Sequence, residues 1–561
     1  MKTAHTYVRT CSLALAFAAA SVLLASCSIA PTSTFATLAQ LPPPKLVVFL
    51  VVDGLPQRQL MGVRGQLAPD GFARFLDRGT WFSNAHYEHA FTVTAAGHAV
   101  MLTGANPRRT GIIGNEWRNP DTGVPVYNTE DLSATYIGHA TNSFDGTSPK
   151  NLKVQTVGDV LRAASPASKV IAISGKDRGA ILPAGKSGTA YMYMAASGNF
   201  ASTTHYMEKH PDWVYDYQAS KPADRYFKSE WKPLLPEAAY ARSIPDNQLW
   251  FGPGGGALPM AMSASTDDTP GLSFYNRLMR SPFGDALTLD FARAAIAGEQ
   301  LGQRSVTDIL AVSLSSHDYI NHAYSAESRM SHDHLLQLDR LLAQFFADLD
   351  KAIGKDNYVA VLTADHGFMP APEVSIAQGL PAGRLSSSQL LNRINAGLEK
   401  KFGEGKWATG FSGSSLLLDK KIMAAKSINP VVAAQEARIL LLAEPAIAAA
   451  YTRTELMANN LGSSHLFNAL RQSWHPDVSG DVQYALKPNW MFTSATAVAT
   501  HGSPYDYDTH VPLLVYGPRW YKTGSVDARV GITSIAPTLA QLLAVTRPEA
   551  SEGAALPMYA P

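Results

Sequence analysis

Lys45-Leu46-Val47-Val48-Phe49-Leu50-Val51-Val52 is an unbroken apolar, β-branched run that stops at Asp53-Gly54. A strand with one wet face alternates apolar and polar residues, and this one does not. It reads as a central strand of a parallel sheet, buried on both faces. Lys169-Val170-Ile171-Ala172-Ile173, Ile309 to Leu314 and Tyr358 to Thr363 have the same character, and Val511 to Tyr516 is a late strand. Helical segments fall between them: Gly71 to Arg78, Val154 to Ala164, and an amphipathic stretch marked by Leu335, Leu338, Leu342, Phe345 and Leu349. Ile532 to Val545 is a final amphipathic helix, with Thr533 or Ser534 as its cap. Strands alternating with helices predict an α/β fold around a largely parallel sheet.

Two stretches break this rhythm. Residues from about 185 to 300 are rich in Tyr, Trp, Pro and Gly, among them Tyr191, Tyr193, Trp213, Tyr215, Trp231 and Trp250. They read as an insertion that caps the site, with most of the aromatics packing rather than binding. Residues from about 385 to 490 carry helices (Ser386 to Lys401, Pro430 to Ala443) between short polar strands and read as a second insertion.

The chain has 561 residues, 46% apolar and 17% charged, enough for a large core. Its 47 Lys+Arg against 46 Asp+Glu leave a net charge of +1, so nothing suggests a nucleic-acid partner. A small anionic substrate must be drawn by local charge or metal. Met1-Lys2 and Arg9 precede the apolar run Leu13 to Leu24, which reads as a secretory signal over residues 1–26. It ends in Leu24-Ala25-Ser26-Cys27, which resembles a bacterial lipobox. The only cysteines are Cys11 and Cys27, so cleavage would leave Cys27 at the new terminus as a lipidation site and no disulfide framework. If Cys27 is instead incidental, cleavage falls near Ala30 or Ala36. Residues 27–44 read as a proline-bearing tether, 45–545 as the main domain, and 546–561 as a tail. The expected product is an exported lipoprotein, held by its lipid at a membrane of the periplasm or cell surface and acting as a monomer.

Polar residues cluster where the apolar strands end. Open α/β sheets bind ligands at the C-terminal ends of their strands. Asp53 lies at one such end, although an Asp-Gly pair also simply forms turns. Asp365 and His366 follow another strand, and Asp318 and His322 lie four apart beyond a third, a spacing that projects both from one helical turn. His501 opens the segment before the late strand. Carboxylate and imidazole together suit zinc, and six such groups are enough for two ions. Two ions about 4 Å apart can clamp the attacking and leaving oxygens of an in-line displacement. Lys176 and Arg178, two apart after the second strand, would point the same way in an extended segment and suit an oxyanion. Asn115 is a neutral donor or a turn residue.

Phe91-Thr92-Val93-Thr94-Ala95-Ala96-Gly97-His98 supplies a hydroxyl at the start of a short helix closed by Gly104. A threonine there is often only a cap. Beside a metal its pKa falls toward an alkoxide, which makes Thr94 a candidate nucleophile, while the helix start offers amides to a phosphate. His98 reads as structural, and His317 points elsewhere if Asp318 faces a metal. His510 already faces the last strand, and Asp506 and Asp508 cap the loop or bind a structural calcium, with the loop reading favoured.

With these motifs in this order, the chain resembles the alkaline phosphatase superfamily, in its phosphodiesterase/nucleotide pyrophosphatase branch. It is most similar there to single-chain zinc alkaline phosphatases with a threonine nucleophile. The resemblance rests on Val52-Asp53-Gly54, Thr94-Ala95-Ala96-Gly97-His98, Gly175-Lys176-Asp177-Arg178-Gly179-Ala180-Ile181-Leu182, Ala364-Asp365-His366-Gly367 and His501-Gly502-Ser503-Pro504-Tyr505. It covers roughly residues 45 to 545. Ala95-Ala96 departs from the more usual proline after the nucleophile, and nothing resembles a sulfatase Cys-x-Pro-x-Arg. The resemblance implies an α/β/α sandwich and two zinc ions. One would sit on Asp318, His322 and His501, the other on Asp53, Asp365 and His366 with Thr94 beside it. Asn115, Lys176 and Arg178 would hold the phosphoryl oxygens. The implied reaction is hydrolysis of small phosphate monoesters through a phosphothreonine, which zinc-activated water then cleaves to inorganic phosphate. A phosphodiesterase or nucleotide pyrophosphatase would use the same metal core. A non-catalytic binding protein on this scaffold would be expected to lack a ligand or the nucleophile, and none is missing.

Overall fold

The computed structural model describes residues 41–252, 255–459 and 464–557. The chain divides into units 1–42 and 43–561. The expected signal segment, Cys27 and most of the tether lie outside the described residues. Among the described residues no helix is long and apolar enough to cross a membrane.

A nine-stranded sheet forms the centre. Its strands in chain order are β1 (Leu46–Val52), β2 (Thr80–Phe82), β3 (Val170–Ser174), β4 (Thr189–Met194), β5 (Asn199–Ala201), β6 (Asp308–Leu314), β7 (Tyr358–Thr363), β8 (Leu513–Tyr516) and β9 (Gly524–Val526). In space the order is β9-β2-β8-β7-β1-β6-β3-β4-β5. β1 lies in the middle, parallel to β6 on one side and β7 on the other, with Leu50 opposite Val312 and Leu362. Every residue of β1 is buried, as its lack of alternation requires. β8 runs antiparallel to β7 and β2, and β5 antiparallel to β4. All other neighbouring strands are parallel.

Helices cover both faces. On one, α1 (Thr94–Thr103) packs with α2 (Asp177–Ala184) and with Ile535–Leu542. On the other, α3 (Pro282–Glu299) packs with α5 (Arg329–Ala352), and α5 with α4 (Ser316–Tyr324). Ser328 caps α5 through the amide of Ser331, and its predicted stripe, Leu335 to Leu349, is buried. The last helix is shorter than predicted. Ile532–Ser534 is a tight turn, and Ser534 precedes the α-helix without a side-chain cap bond.

The expected insertion over about 185–300 divides. β4 and β5 extend the central sheet, and α3 is one of its covering helices. Only the stretch between β5 and α3 lies outside the layers. Its aromatics pack: Trp213 meets Tyr191 of β4 at 5.6 Å and Phe291 of α3 at 5.3 Å, and the Trp231 indole donates to Asp333. Residues from about 385 to 490 form a four-stranded antiparallel sheet with its own apolar cluster around Trp407, Leu416 and Leu441. The expected tail is anchored as far as it is described. The Glu552 amide donates to the Gly104 carbonyl, the Ser551 hydroxyl to Thr103, and the Leu556 amide to the Thr538 hydroxyl.

A candidate two-metal active site

Because β1, β6 and β7 run side by side in one direction, Asp53, Asp318 and Asp365 leave the sheet at one edge. Asp53 follows β1 directly. Asp318 and His322 project from α4, which starts two residues after β6. Asp365 and His366 follow β7, and His501 arrives on the loop before β8.

These six side chains form two groups of three. In the first, Asp318 Oδ1 lies 3.4 Å from His322 Nε2 and 3.5 Å from His501 Nε2. In the second, His366 Nε2 lies 3.6 Å from Asp53 Oδ1 and 3.4 Å from Asp365 Oδ2. The rings of His366 and His501 stack at 3.5 Å and bring the groups side by side. The inward-facing atoms lack hydrogen bonds: Asp53 Oδ1, Asp318 Oδ1, Asp365 Oδ2 and His366 Nε2 are buried without a partner. Buried carboxylate oxygens without donors are costly unless a cation meets them. Three imidazoles are turned so that Nε2 faces the group, since Nδ1 bonds a backbone carbonyl in each case. His322 uses Ala499 (2.9 Å), His501 uses Thr92 (2.8 Å) and His366 uses Gly367 (2.8 Å). Such bonds fix the tautomer of a metal-binding histidine. Burial holds His366 and His501 below the ordinary imidazole range, so each keeps a lone pair free. Two oxygen–nitrogen groups of this make fit a pair of divalent ions, and zinc suits the donors.

Lys176 lies between the groups. Its buried Nζ is 2.8 Å from Asp53 Oδ2 and 2.6 Å from Asp318 Oδ2. Burial opposes its charge, but the two carboxylates overcome this and raise its pKa. Burial likewise opposes the charge on Asp318, yet Lys176, His322 and His501 hold its carboxyl well below the usual range. Asp53 goes the other way, pushed up by burial and by Asp365. Asp365 is pulled down against burial by His366 and His98, and its Oδ1 accepts the amides of Gly54 and His366.

Lys176 and Arg178 do not share the extended segment expected for them. Asp177 begins α2, and its carboxylate accepts the Arg178 amide, the Gly146 amide and the Tyr127 hydroxyl. A helix replaces the strand period there, yet the two cations stay near enough for Arg178 to oppose the charge on Lys176. Lys176 enters the carboxylates, while Arg178 bonds the Tyr127 hydroxyl at 3.2 Å. No pattern in the sequence pointed to Tyr127, or to Tyr319, whose ring lies 4.9 Å from the Lys176 ammonium.

Thr94 is the first residue of α1 and is buried. Asn115 Oδ1 accepts the next amide, Ala95 N–H, at 2.9 Å, which leaves its amide nitrogen as the donor end. His98, one turn on, bonds the Thr94 carbonyl and Ser313 and lies 3.3 Å from Asp365. It braces the site from the core side. Gly97 lets α1 sit this close, since a Cβ there would fall 2.0 Å from the Asp365 carbonyl oxygen. His317 turns away to His334 and Gln59, and His510 to the Ser83 carbonyl. Asp508 accepts the Ser503 amide and hydroxyl inside its loop.

A sequence model of the type I phosphodiesterase / nucleotide pyrophosphatase family matches residues 47–504. Alkaline phosphatase PhoV of Synechococcus elongatus is 34% identical over 523 residues, covering 91% of this chain and 92% of its own. Alkaline phosphatase PafA of Elizabethkingia meningoseptica is 34% identical over 519 residues, covering 91% and 94%. The crystal structure of wild-type PafA superimposes with a TM-score of 0.84 at 32% identity, covering 92% of this chain and 98% of that one. The chain therefore belongs to the type I phosphodiesterase / nucleotide pyrophosphatase family of the alkaline phosphatase superfamily, beside its threonine-nucleophile alkaline phosphatases.

Proposed function

We propose that this enzyme hydrolyses phosphate monoesters, with Thr94 as the nucleophile beside two zinc ions. The observation that carries the reading is the pair of carboxylate–imidazole groups, with their unpartnered inward atoms, beside the helix start that bears Thr94. Asp318, His322 and His501 would hold one ion, and Asp53, Asp365 and His366 the other. When bound, the ions supply positive charge to the entering and leaving oxygens of the phosphoryl group.

The chain's own residues do the rest. Thr94 Oγ loses its proton and bonds phosphorus as the bond from phosphorus to the leaving alcohol oxygen breaks, and that oxygen takes up a proton. Water then cleaves the phosphothreonine, which restores the hydroxyl and releases inorganic phosphate. Lys176, Arg178 and the Asn115 amide hold the oxygens that carry charge through both steps. A monoester presents more negative charge than a diester, and two fixed cations suit the former. Names of the PhoV and PafA kind support the same class of reaction.

The test is acid quenching during turnover of p-nitrophenyl phosphate, followed by mass spectrometry of the peptide bearing Thr94. A phosphorylated Thr94 is expected, with turnover lost on chelation. Thr94→Ala should keep its metals and lose both the adduct and the turnover. Full activity in that variant would refute the assignment. Residues 24–27 further support lipidation at Cys27, which Cys27→Ser should abolish, shifting the protein from the detergent phase to the aqueous phase on partition.

A further inference from the structure

A cavity of about 410 Å³ opens directly off the candidate site, since Asn115, His322 and His501 form part of its wall. Another wall is aromatic: Tyr484 stands on a strand of the inserted four-stranded sheet, and Trp490 and Phe492 stand on the strand Trp490–Phe492, which pairs with Gly383–Leu385 and packs against the same apolar cluster. Phe411 braces Tyr484 at 5.4 Å and Phe492 at 5.6 Å, so this wall is packed from behind. Phe91 completes it from the other side, three residues before Thr94. Its half-buried ring is wedged among three glycines from three loops. A Cβ at Gly502 would lie 3.2 Å from the ring, at Gly114 3.3 Å, and at Gly413 3.6 Å. Gly114 precedes Asn115 and Gly502 follows His501. The ring is therefore fixed where the phosphate holder Asn115 and the candidate metal ligand His501 meet the cavity.

Among the described residues the cavity is lined by no lysine or arginine. Its only carboxyl, Asp508, is buried, and burial pushes it up to about 7. Such a chamber offers no fixed cation to a second phosphate, and its aromatic walls suit an uncharged flat group. Aromatic side chains take rings by stacked or edge-on contact, and pockets of this size hold small ligands.

We propose that this cavity is a leaving-group subsite for monoesters of aromatic alcohols, with Phe91 as its fixed platform and Trp490 and Phe492 as its outer wall. The proposal rests on the phosphomonoesterase reading above. In the ester, the phosphoryl group meets Thr94, and the ring on the breaking P–O bond occupies the cavity. The ring leaves as the phenol once its oxygen is protonated.

The experiment uses the metal-loaded enzyme and two hydrolysis-resistant competitors, phenylphosphonate and methylphosphonate, scored by inhibition of p-nitrophenyl phosphate turnover. Wild type should bind phenylphosphonate about ten-fold more tightly. Phe91→Leu should shrink that ratio several-fold, Phe91→Tyr should restore it, and Trp490→Ala should shrink it independently. Equal inhibition constants in wild type, or a ratio unchanged in both Phe91→Leu and Trp490→Ala, would overturn the subsite while turnover itself upholds the phosphatase reading. Absence of turnover in metal-loaded wild type would overturn both.

Discussion

Replacing Lys176 with Met tests whether this ammonium is the internal counter-charge of the two acidic groups. Methionine keeps most of the length and removes the charge. The Nζ–oxygen distances of 2.6 and 2.8 Å correspond to a gross attraction of about 6 kcal/mol per pair at an effective dielectric of about 20. Most of that is offset by the cost of keeping Lys176, Asp53 and Asp318 out of water. Removing one partner of such a buried cluster leaves a net loss of about 3–5 kcal/mol. A unit of about 500 residues unfolds with an entropy near roughly 1 kcal/mol/K, so the metal-free variant should melt about 3–5 °C below metal-free wild type. Divalent ions restore positive charge beside the same carboxylates. The gap between chelated and metal-loaded melting temperatures should therefore widen in Lys176→Met. Scanning calorimetry at fixed scan rate, with and without chelator, reads both numbers. A chelated variant that melts within about a degree of chelated wild type would refute the counter-charge role.

Asp508 supplies a pH test. Burial pushes its carboxyl up to about 7, above the ordinary carboxyl value of 3.8, so its contribution to stability is present below about pH 4 and is lost as pH rises through 7. Asp508→Asn cannot ionise, so it should gain on wild type across that window by several kcal/mol, on the order of 4, and level off above it. Denaturation of both proteins at pH 5 and pH 8 checks this, and an equal difference at the two values would contradict it. Gly97→Ala forces a methyl group to 2.0 Å from the Asp365 carbonyl oxygen. It should cost about 1–3 kcal/mol and lower turnover and metal content together. Elemental analysis beside the rate would show it, and a fully active, fully loaded variant would mean that α1 and Asp365 are not in tight register.

The framework was legible because burial on both faces leaves a direct trace in composition. Leu46 to Val52 is apolar at every position and Tyr358 to Thr363 at every position but the ends, and the residues that follow them had to share one sheet edge. The four-residue spacing of Asp318 and His322 was legible for a similar reason, since one turn of helix fixes it. Lys176 was harder. Its sequence neighbours suggested a partner in Arg178, but its closest partners, Asp53 and Asp318, lie more than a hundred residues away on either side. The antiparallel entry of β8 and the assignment of β4 and β5 to the central sheet were also hidden, because a short apolar strand looks the same in either direction and at either edge. Phe91 stood in the sequence only as the first residue of the stretch that bears Thr94. Its position depends on Gly114, Gly413 and Gly502, which come together only in the folded chain.

The order in which the candidate ligands occur along the chain has a consequence for assembly. Asp53, Asp365 and His366 are all in hand once β1 and β7 have paired, but His501 follows only after the inserted subdomain has been traversed. A nascent or truncated chain that stops inside that subdomain holds one complete group of three and an unfinished second one. Competence for chemistry is thereby tied to the return of the chain to the sheet edge, and the finished centre reports that nearly the whole polypeptide has found its place.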